Sequence, residues 1–395
     1  MMTAPLIPVS EALARIFALV APLPVETVPL SRAHGRVLAA DAVARRAQPP
    51  FDGSAMDGYA LRDAEVRPGA TFRVIGQSLA GHGFSGSVGA GEAVRIFTGA
   101  PLPAGADRVV IQEDTIRAGD GIRLAEALDT ARHVMPLGGD FRIGDRVTAP
   151  RRLGPADLAL LAAMNLAEVP VTRRPVVAIL ATGDELVMPG ETPRADQIVA
   201  SNGFGLAALA EAAGALPRLL PIARDRRDSV AAALALARGA DLIVTTGGAS
   251  VGDHDLFGRA AGELGISLDF HKVAMRPGKP LMAGRLGATP MIGLAGHPVS
   301  ALVCGSVFMC PAIRVLSGLP AGPAPRLPMR LAAPLEPNGP REHYMRARHE
   351  GGNVRAFDRQ ASSLISVLAE ATCLLVRPPH DPARAAGDIV EILPL

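Results

Sequence analysis

The chain holds 395 residues, 49% apolar and 20% charged, which excludes wholesale disorder and leaves room for two to four domains. A formal charge of +2 argues against a nucleic-acid or membrane-surface protein, although it permits a local basic pocket for an anion. With 11 Phe, 2 Tyr and no Trp, the chain lacks the aromatic platform on which single strands stack.

In chain order, Leu13, Ile16, Phe17 and Val20 follow helical spacing from Ser10, a plausible N-cap. Between about Gln48 and Phe141 the texture changes, and short β-favouring runs at 71–75, 93–97 and 108–112 alternate with Gly/Pro turns, as in a small all-β module. Inside it, Gly81–Gly86 fits GxGxxG, but no helix pattern follows, so it reads as a glycine loop and not a dinucleotide site. A helix is expected from Pro155, with proline at its first position.

From Pro175 the pattern is strongest. Apolar runs at 176–180, 219–223 and 242–246 alternate with helical stretches from Asn202, from Asp228 and from about Asp255. Strands near 268–273 and 291–294 and a helix from Pro298 follow. Strands buried on both faces with helices between them indicate a parallel sheet in an α/β layer. Nothing from 286 to 313 is formally charged, but Gly293, Gly296, His297 and Pro298 break that run into strand, loop and buried helix. The segment 320–340 reads as a proline-rich linker. The last 55 residues read as a second β module, with runs at 364–368, 373–376 and 389–392.

Several loops carry chemistry. Thr245–Gly252 follows a buried strand, and Gly247 and Gly248 would let backbone N–H groups approach an anion. Asp253 and Asp255 beyond it either cap a helix or, beside phosphate, hold Mg²⁺. Glu185 in Thr182–Glu185 and Asp225 follow two other strands, so three strand ends present carboxylates to one edge of the sheet, as a metal or acid–base site requires. Of 40 basic residues only Lys272 and Lys279 are lysine, both within His271–Pro280, where a compact point charge is called for. Pro280 excludes a P-loop. Phe51–Ala60 and Thr98–Asp107 read as Gly/Pro loops with carboxylates. The histidines show no ligand spacing. Cys304, Cys310 and Cys373 form no CxxC, which suits a reducing compartment and gives no zinc site. The N-terminus lacks a basic stretch followed by an apolar one, so no export signal and a cytoplasmic location are expected.

Taken in order and spacing, Phe51–Ala60, Thr98–Asp107, Thr182–Leu186, Gly247–Asp255, Pro277–Pro280 and Leu294–Ser300 resemble the molybdopterin molybdenumtransferase family, MoeA and the E domain of gephyrin, over nearly the whole chain. The resemblance implies a four-domain subunit: a mixed N-terminal linking domain (1–47 and 142–172), a β-rich module (48–141), a three-layer α/β domain with a mostly parallel sheet (173–319) and a β-barrel-like C-terminal domain (320–395). It implies an elongated homodimer with a composite active site, fed by a molybdopterin adenylyltransferase. The expected reaction takes adenylylated molybdopterin and molybdate and cleaves the adenylate with Mg²⁺. Molybdenum is left on the dithiolene, and AMP is released.

By position, Glu185, Asp225 and Asp255 match catalytic acids, Glu185 and Asp255 being the expected Mg²⁺ ligands, and Asp57 and Thr98 match groups contributed across the dimer. Ser250, Arg276, Lys279, Pro280 and Ser300 match the molybdate region, with Gly247, Gly248, Gly252, Pro277 and Gly278 in the same substrate loops and Arg341 and Ser363 from the C-terminal module. Two departures stand out. Leu294–Pro298 reads Leu-Ala-Gly-His-Pro where the family has Leu-Pro-Gly-Asn-Pro, and Gly53 replaces an asparagine. An ATP-consuming adenylyltransferase, a non-catalytic pterin-binding scaffold and a nicotinamide dehydrogenase are the alternatives. The extra β modules oppose the first and the intact acids oppose the second.

Overall fold

The computed structural model of the chain describes residues 6–247 and 265–395. The first helix, Val9–Leu19, starts from Pro8 rather than Ser10, because Pro8 lies extended and its carbonyl accepts from Ala12 N–H. Its buried face (Val9, Ala12, Leu13 and Ile16) packs into the core of the α/β layer.

Two stretches flanking the β module form one small sheet, in the order Val25–Pro29, Glu168–Thr172, Val37–Leu38, Arg151–Arg152. The helix Pro155–Ala163 covers its core of Leu38, Leu153, Leu161 and Val171. The chain leaves and re-enters this unit side by side, bridged at Gln48 and Phe141. Between those points lies a six-stranded sheet with Gly58–Leu61 second from one edge, where the Gly58 Cα lies too close to the Val110 carbonyl for any side chain to fit. Gly81–Gly86 is a loop with no helix after it, as its sequence indicates.

The third unit is a six-stranded sheet ordered Leu216–Leu219, Val176–Ala181, Leu242–Thr246, Thr289–Leu294, Met282–Leu286, Ile266–His271. The first four strands run parallel and the last two join antiparallel. Period-2 alternation is visible in its packing: Val177, Ile179, Leu242 and Val244 face one core, while Ala178, Leu180 and Ile243 face the other.

Several strand boundaries differ from the sequence pattern. The run at 219–223 is not the strand. Regular pairing with Val176–Ile179 spans Leu216–Leu219, is interrupted about Pro221 and returns only as a single parallel bridge between Thr182 and Ala223. Met282–Leu286, left unassigned by the sequence pattern, is a strand that forms a tight hairpin around Gly287; a central Gly284 masked it, and any Cβ there would strike the Ser267 carbonyl. The linker 320–340 contains a strand, Leu327–Leu331.

The apolar run from Pro298 is a helix to Leu316 with one π-turn at Gly305–Met309. By length and composition it could cross a membrane, yet 83% of its apolar window is buried inside the protein.

The C-terminal strands close on themselves. Glu342–Glu350 pairs with Asn353–Ala356, that strand with Leu327–Leu331, that one with Ile389–Pro394, and that one with Cys373–Arg377, which pairs back to Glu342–Glu350. This is a five-stranded barrel without free edges between those strands. The run at 364–368, expected as strand, is the short helix Ile365–Glu370. Val367 and Leu368 are buried as neighbours, a pattern that a strand cannot bury on one face.

Candidate functional site

A cleft of about 1090 Å³ lies at the carboxyl edge of the α/β sheet, where ligands bind in such folds. It is completed by the barrel. Strand Met275–Arg276 pairs in parallel with Glu342–His343, so the Arg276–Pro280 loop is stitched to the C-terminal domain. Glu185, Asp225, Gly247, Arg276, Pro277, Gly278, Lys279, Pro280, Ser300, Arg341 and Ser363 all line this one cleft. Gly248, Ser250, Gly252 and Asp255 lie outside the described residues. Asp57 and Thr98 do not line it; they meet each other on the β-rich module, where the Thr98 backbone N–H and hydroxyl both donate to Asp57 Oδ1 at 2.8 Å. Those two bonds, with the charge of Arg95, hold the Asp57 carboxyl below the usual carboxylate range and so keep it ionised.

Two glycines in the cleft are required by close approach. Gly247 has φ +91°, and a Cβ on it would strike the Thr182 carbonyl and sit 2.9 Å from the Thr182 hydroxyl. Gly278 has φ +103°, and a Cβ there would overlap the Cys304 Sγ. That thiol is fully buried, and desolvation pushes it up to about 12, so Cys304 acts as packing and not as a nucleophile.

Positive charge accumulates where the loop meets the barrel. Arg276 and Lys279 are exposed in the cleft and Arg341 is half-buried. Behind them His343 is only 8% exposed, and its Nε2 has no hydrogen-bond partner. Burial, followed by the charges of Arg276, Arg346, Arg377 and Arg341, lowers its pKa from 6.5 to about 4. The unfolded chain therefore binds a proton between pH 6.5 and 4 that the native protein refuses, and stability falls as pH drops through that window. The full loss is about 3 kcal/mol at 1.36 kcal/mol per unit. Chemical denaturation at pH 7 and pH 4 should show this loss, and the His343→Gln variant should lose correspondingly less; equal pH dependence in the two proteins would refute it.

Sequence reasoning missed Arg346, Gln360 and the tie made by Asn202, and named Thr182 only as part of its motif. Arg346 is 0% exposed and makes no ion pair among the described residues; its Nη2 donates to the Ala361 and Arg359 carbonyls, while Nε and Nη1 have no partner. Arginine so deep carries no sequence signal. Gln360 clamps the cleft-lining segment to the barrel through Arg346 N–H (3.0 Å), the Arg346 carbonyl (3.0 Å) and the Phe357 carbonyl (2.6 Å). Thr182 lines the cleft with its buried hydroxyl unpartnered. Asn202, read only as the start of a helix, donates to Thr246 Oγ1 at 3.0 Å and to the Gly296 carbonyl at 2.8 Å, tying two strand ends together. His297, one of the departures from the family pattern, lines the cleft as an exposed ring.

Among the described residues no cluster of three or more His, Cys, Asp or Glu could cage a metal. Magnesium, however, is usually held by one or two carboxylates together with water and substrate phosphate, and the exposed Glu185 carboxylate in the cleft suits that hard cation.

Comparison with known proteins agrees with this architecture. Residues 7–165 match the family described as the MoeA N-terminal region (domain I and II), 178–315 the probable molybdopterin binding domain and 328–395 the MoeA C-terminal region (domain IV). The chain is 38% identical over 384 residues to molybdopterin molybdenumtransferase 2 of Mycobacterium tuberculosis H37Rv, covering 93% of this chain and 94% of that protein. It is 34% identical over 387 residues to the molybdopterin molybdenumtransferase of a Nostoc species, covering 94% and 88%. The crystal structure of the molybdopterin biosynthesis MoeA protein from Pyrococcus horikoshii OT3 superimposes with a TM-score of 0.85 at 27% identity, over 99% of this chain and 100% of that one.

Proposed function

From the premise that this chain belongs to the MoeA family of molybdopterin molybdenumtransferases, and so is a transferase of molybdenum cofactor biosynthesis, we propose that it inserts molybdenum from molybdate into adenylylated molybdopterin, with cleavage of the adenylate and release of AMP. One observation carries this reading: a single cleft is lined by the carboxylates Glu185 and Asp225 and by the cations Arg276, Lys279 and Arg341. An anhydride-cleaving site needs the first set and an oxyanion substrate needs the second.

In this reading Arg276, Lys279 and Arg341 draw molybdate in, and Ser300 and Ser363 offer it hydroxyls. The Gly247 backbone gives the substrate phosphates a close approach that no side chain obstructs. Glu185, with Asp255 beyond the described residues, would hold Mg²⁺, which when bound would neutralise charge on the phosphate oxygens. Asp225 accepts at its carboxylate the proton of the attacking water. Asp57 and Thr98 would come from a second copy of the chain, which explains why that ion-stabilising pair sits on a module away from the cleft. A homodimer, a cytoplasmic setting and handover of the substrate from a molybdopterin adenylyltransferase belong to the same proposal. The purified protein should release AMP from adenylylated molybdopterin only when molybdate and Mg²⁺ are both supplied. AMP release without molybdate, or ATP turnover in its place, would defeat the reading.

A further inference from the structure

The two carboxylates of the cleft sit on different loops, and one side chain joins those loops. Arg224 Nη1 donates to three backbone carbonyls of the loop that carries Glu185: Leu186 at 3.0 Å, Asp184 at 3.1 Å and Gly183 at 3.4 Å. The next residue is Asp225, whose N–H donates to Asp184 Oδ1 at 3.1 Å. Two further bonds hold this turn: Arg224 N–H to Ser229 Oγ at 2.9 Å, and Gly183 N–H to the Ala223 carbonyl at 3.0 Å. The Glu185 carboxylate folds back over Gly183, so close that a Cβ there would lie 2.8 Å from Oε1. The direction of the Glu185 carboxylate therefore depends on the curl of the 183–186 backbone.

That curl points three carbonyl oxygens inward at one spot, which is favourable only around a fixed positive charge. A guanidinium is always ionised and bears enough N–H groups to answer several acceptors at once. We infer that Arg224 is a positioning residue: it holds the Glu185 loop and the Asp225 turn in register, and through them sets the affinity of the cleft for a divalent cation. The cation part rests on the function proposed above, whereas the locking of the two loops does not.

Loss of Arg224 should act locally. Asp184 and Glu185 are exposed, so the freed carbonyls can turn to water and the loop relaxes without opening a core. Partners behind a metal ligand commonly contribute about ten- to a hundredfold to affinity. The test uses the full chain with saturating AMP and Mn²⁺ as probe, following free Mn²⁺ by electron paramagnetic resonance, together with amide hydrogen exchange of the 182–188 and 224–226 segments. Arg224→Met should raise the Mn²⁺ dissociation constant about tenfold and speed exchange in both segments, with the thermal midpoint little changed. Arg224→Lys should recover most of both effects. Glu185→Gln is the control for the cation site.

If Glu185→Gln weakens Mn²⁺ binding and Arg224→Met does not, or if exchange in the two segments is unaltered, the inference is overturned. If Glu185→Gln binds Mn²⁺ as tightly as the parent, the magnesium reading fails instead. Faster exchange in Arg224→Met, restored in Arg224→Lys, would then still support Arg224 as the lock between the loops.

Discussion

Replacing Glu185 with glutamine is expected to slow AMP release about a thousandfold, equivalent to about 4 kcal/mol of transition-state stabilisation. The substitution keeps the size of the side chain and removes only its charge, so the fold-back over Gly183 survives and the adenylylated substrate should bind within a few-fold of its parent affinity. Raised Mg²⁺ should recover part of the rate, because a weakened ligand set is refilled by mass action. The same variant tests the composite site. Mixed with an Asp57→Ala variant under conditions that exchange subunits, it should regain up to about a quarter of parent activity, since half of randomly formed dimers carry one intact site out of two. Parent-like turnover of Glu185→Gln at every Mg²⁺ concentration would remove it from the chemistry. Two inactive variants that never complement would place Asp57 and Glu185 in the same site of one subunit.

The second large effect is expected at Gly278. Alanine there must adopt φ near +103°, a region that costs an L-residue about 1–2 kcal/mol, and its Cβ must displace the Cys304 Sγ from a packed core. Overpacking of this kind adds about 1–3 kcal/mol, so Gly278→Ala should lose roughly 2–5 kcal/mol of stability. The loop between Arg276 and Pro280 would shift as well, and Lys279 with it, so molybdate-dependent AMP release should fall further than substrate binding. Cys304→Ala removes the obstructing sulfur. The double variant should therefore be more stable than the sum of the two single losses predicts, by the steric part alone. Strict additivity in a denaturation cycle would show that backbone strain, not the sulfur, makes glycine necessary.

Much of the candidate site was legible before any coordinates, for a reason that lies in its topology. In a parallel sheet the strand ends recur at one edge, so residues that follow apolar runs are neighbours in space although far apart in sequence. Thr182, Glu185, Asp225 and Gly247 were found this way, and they do line one cleft. The scarcity of lysine pointed to Lys272 and Lys279 in the His271–Pro280 loop, of which Lys279 lines the cleft and Lys272 does not. The elements that misled were those with weak period or unusual residues: the Gly284 strand, the proline-bearing strand Leu216–Leu219, and the short run at 364–368 that turned out helical.

What the sequence determined by itself is the set of local decisions: where the textures change, which runs are buried on both faces, which loops must be glycine and which strand ends carry acids. Hydrophobic period and turn chemistry act over a few residues, and they suffice for that. Only the tertiary structure decided that the Arg276 strand would pair with His343, that Arg346 would be buried without a carboxylate, and that Arg224 would answer three carbonyls of a loop about forty residues away. Those contacts join segments with no shared period, and a buried cation or an orphaned imidazole runs against the local preference of its residue type. The pairing of Arg276 with His343 follows from how two domains dock, and the burial of Arg346 and the contacts of Arg224 from how distant segments of one domain pack, because that energy belongs to the assembled surfaces and is not written in any one segment.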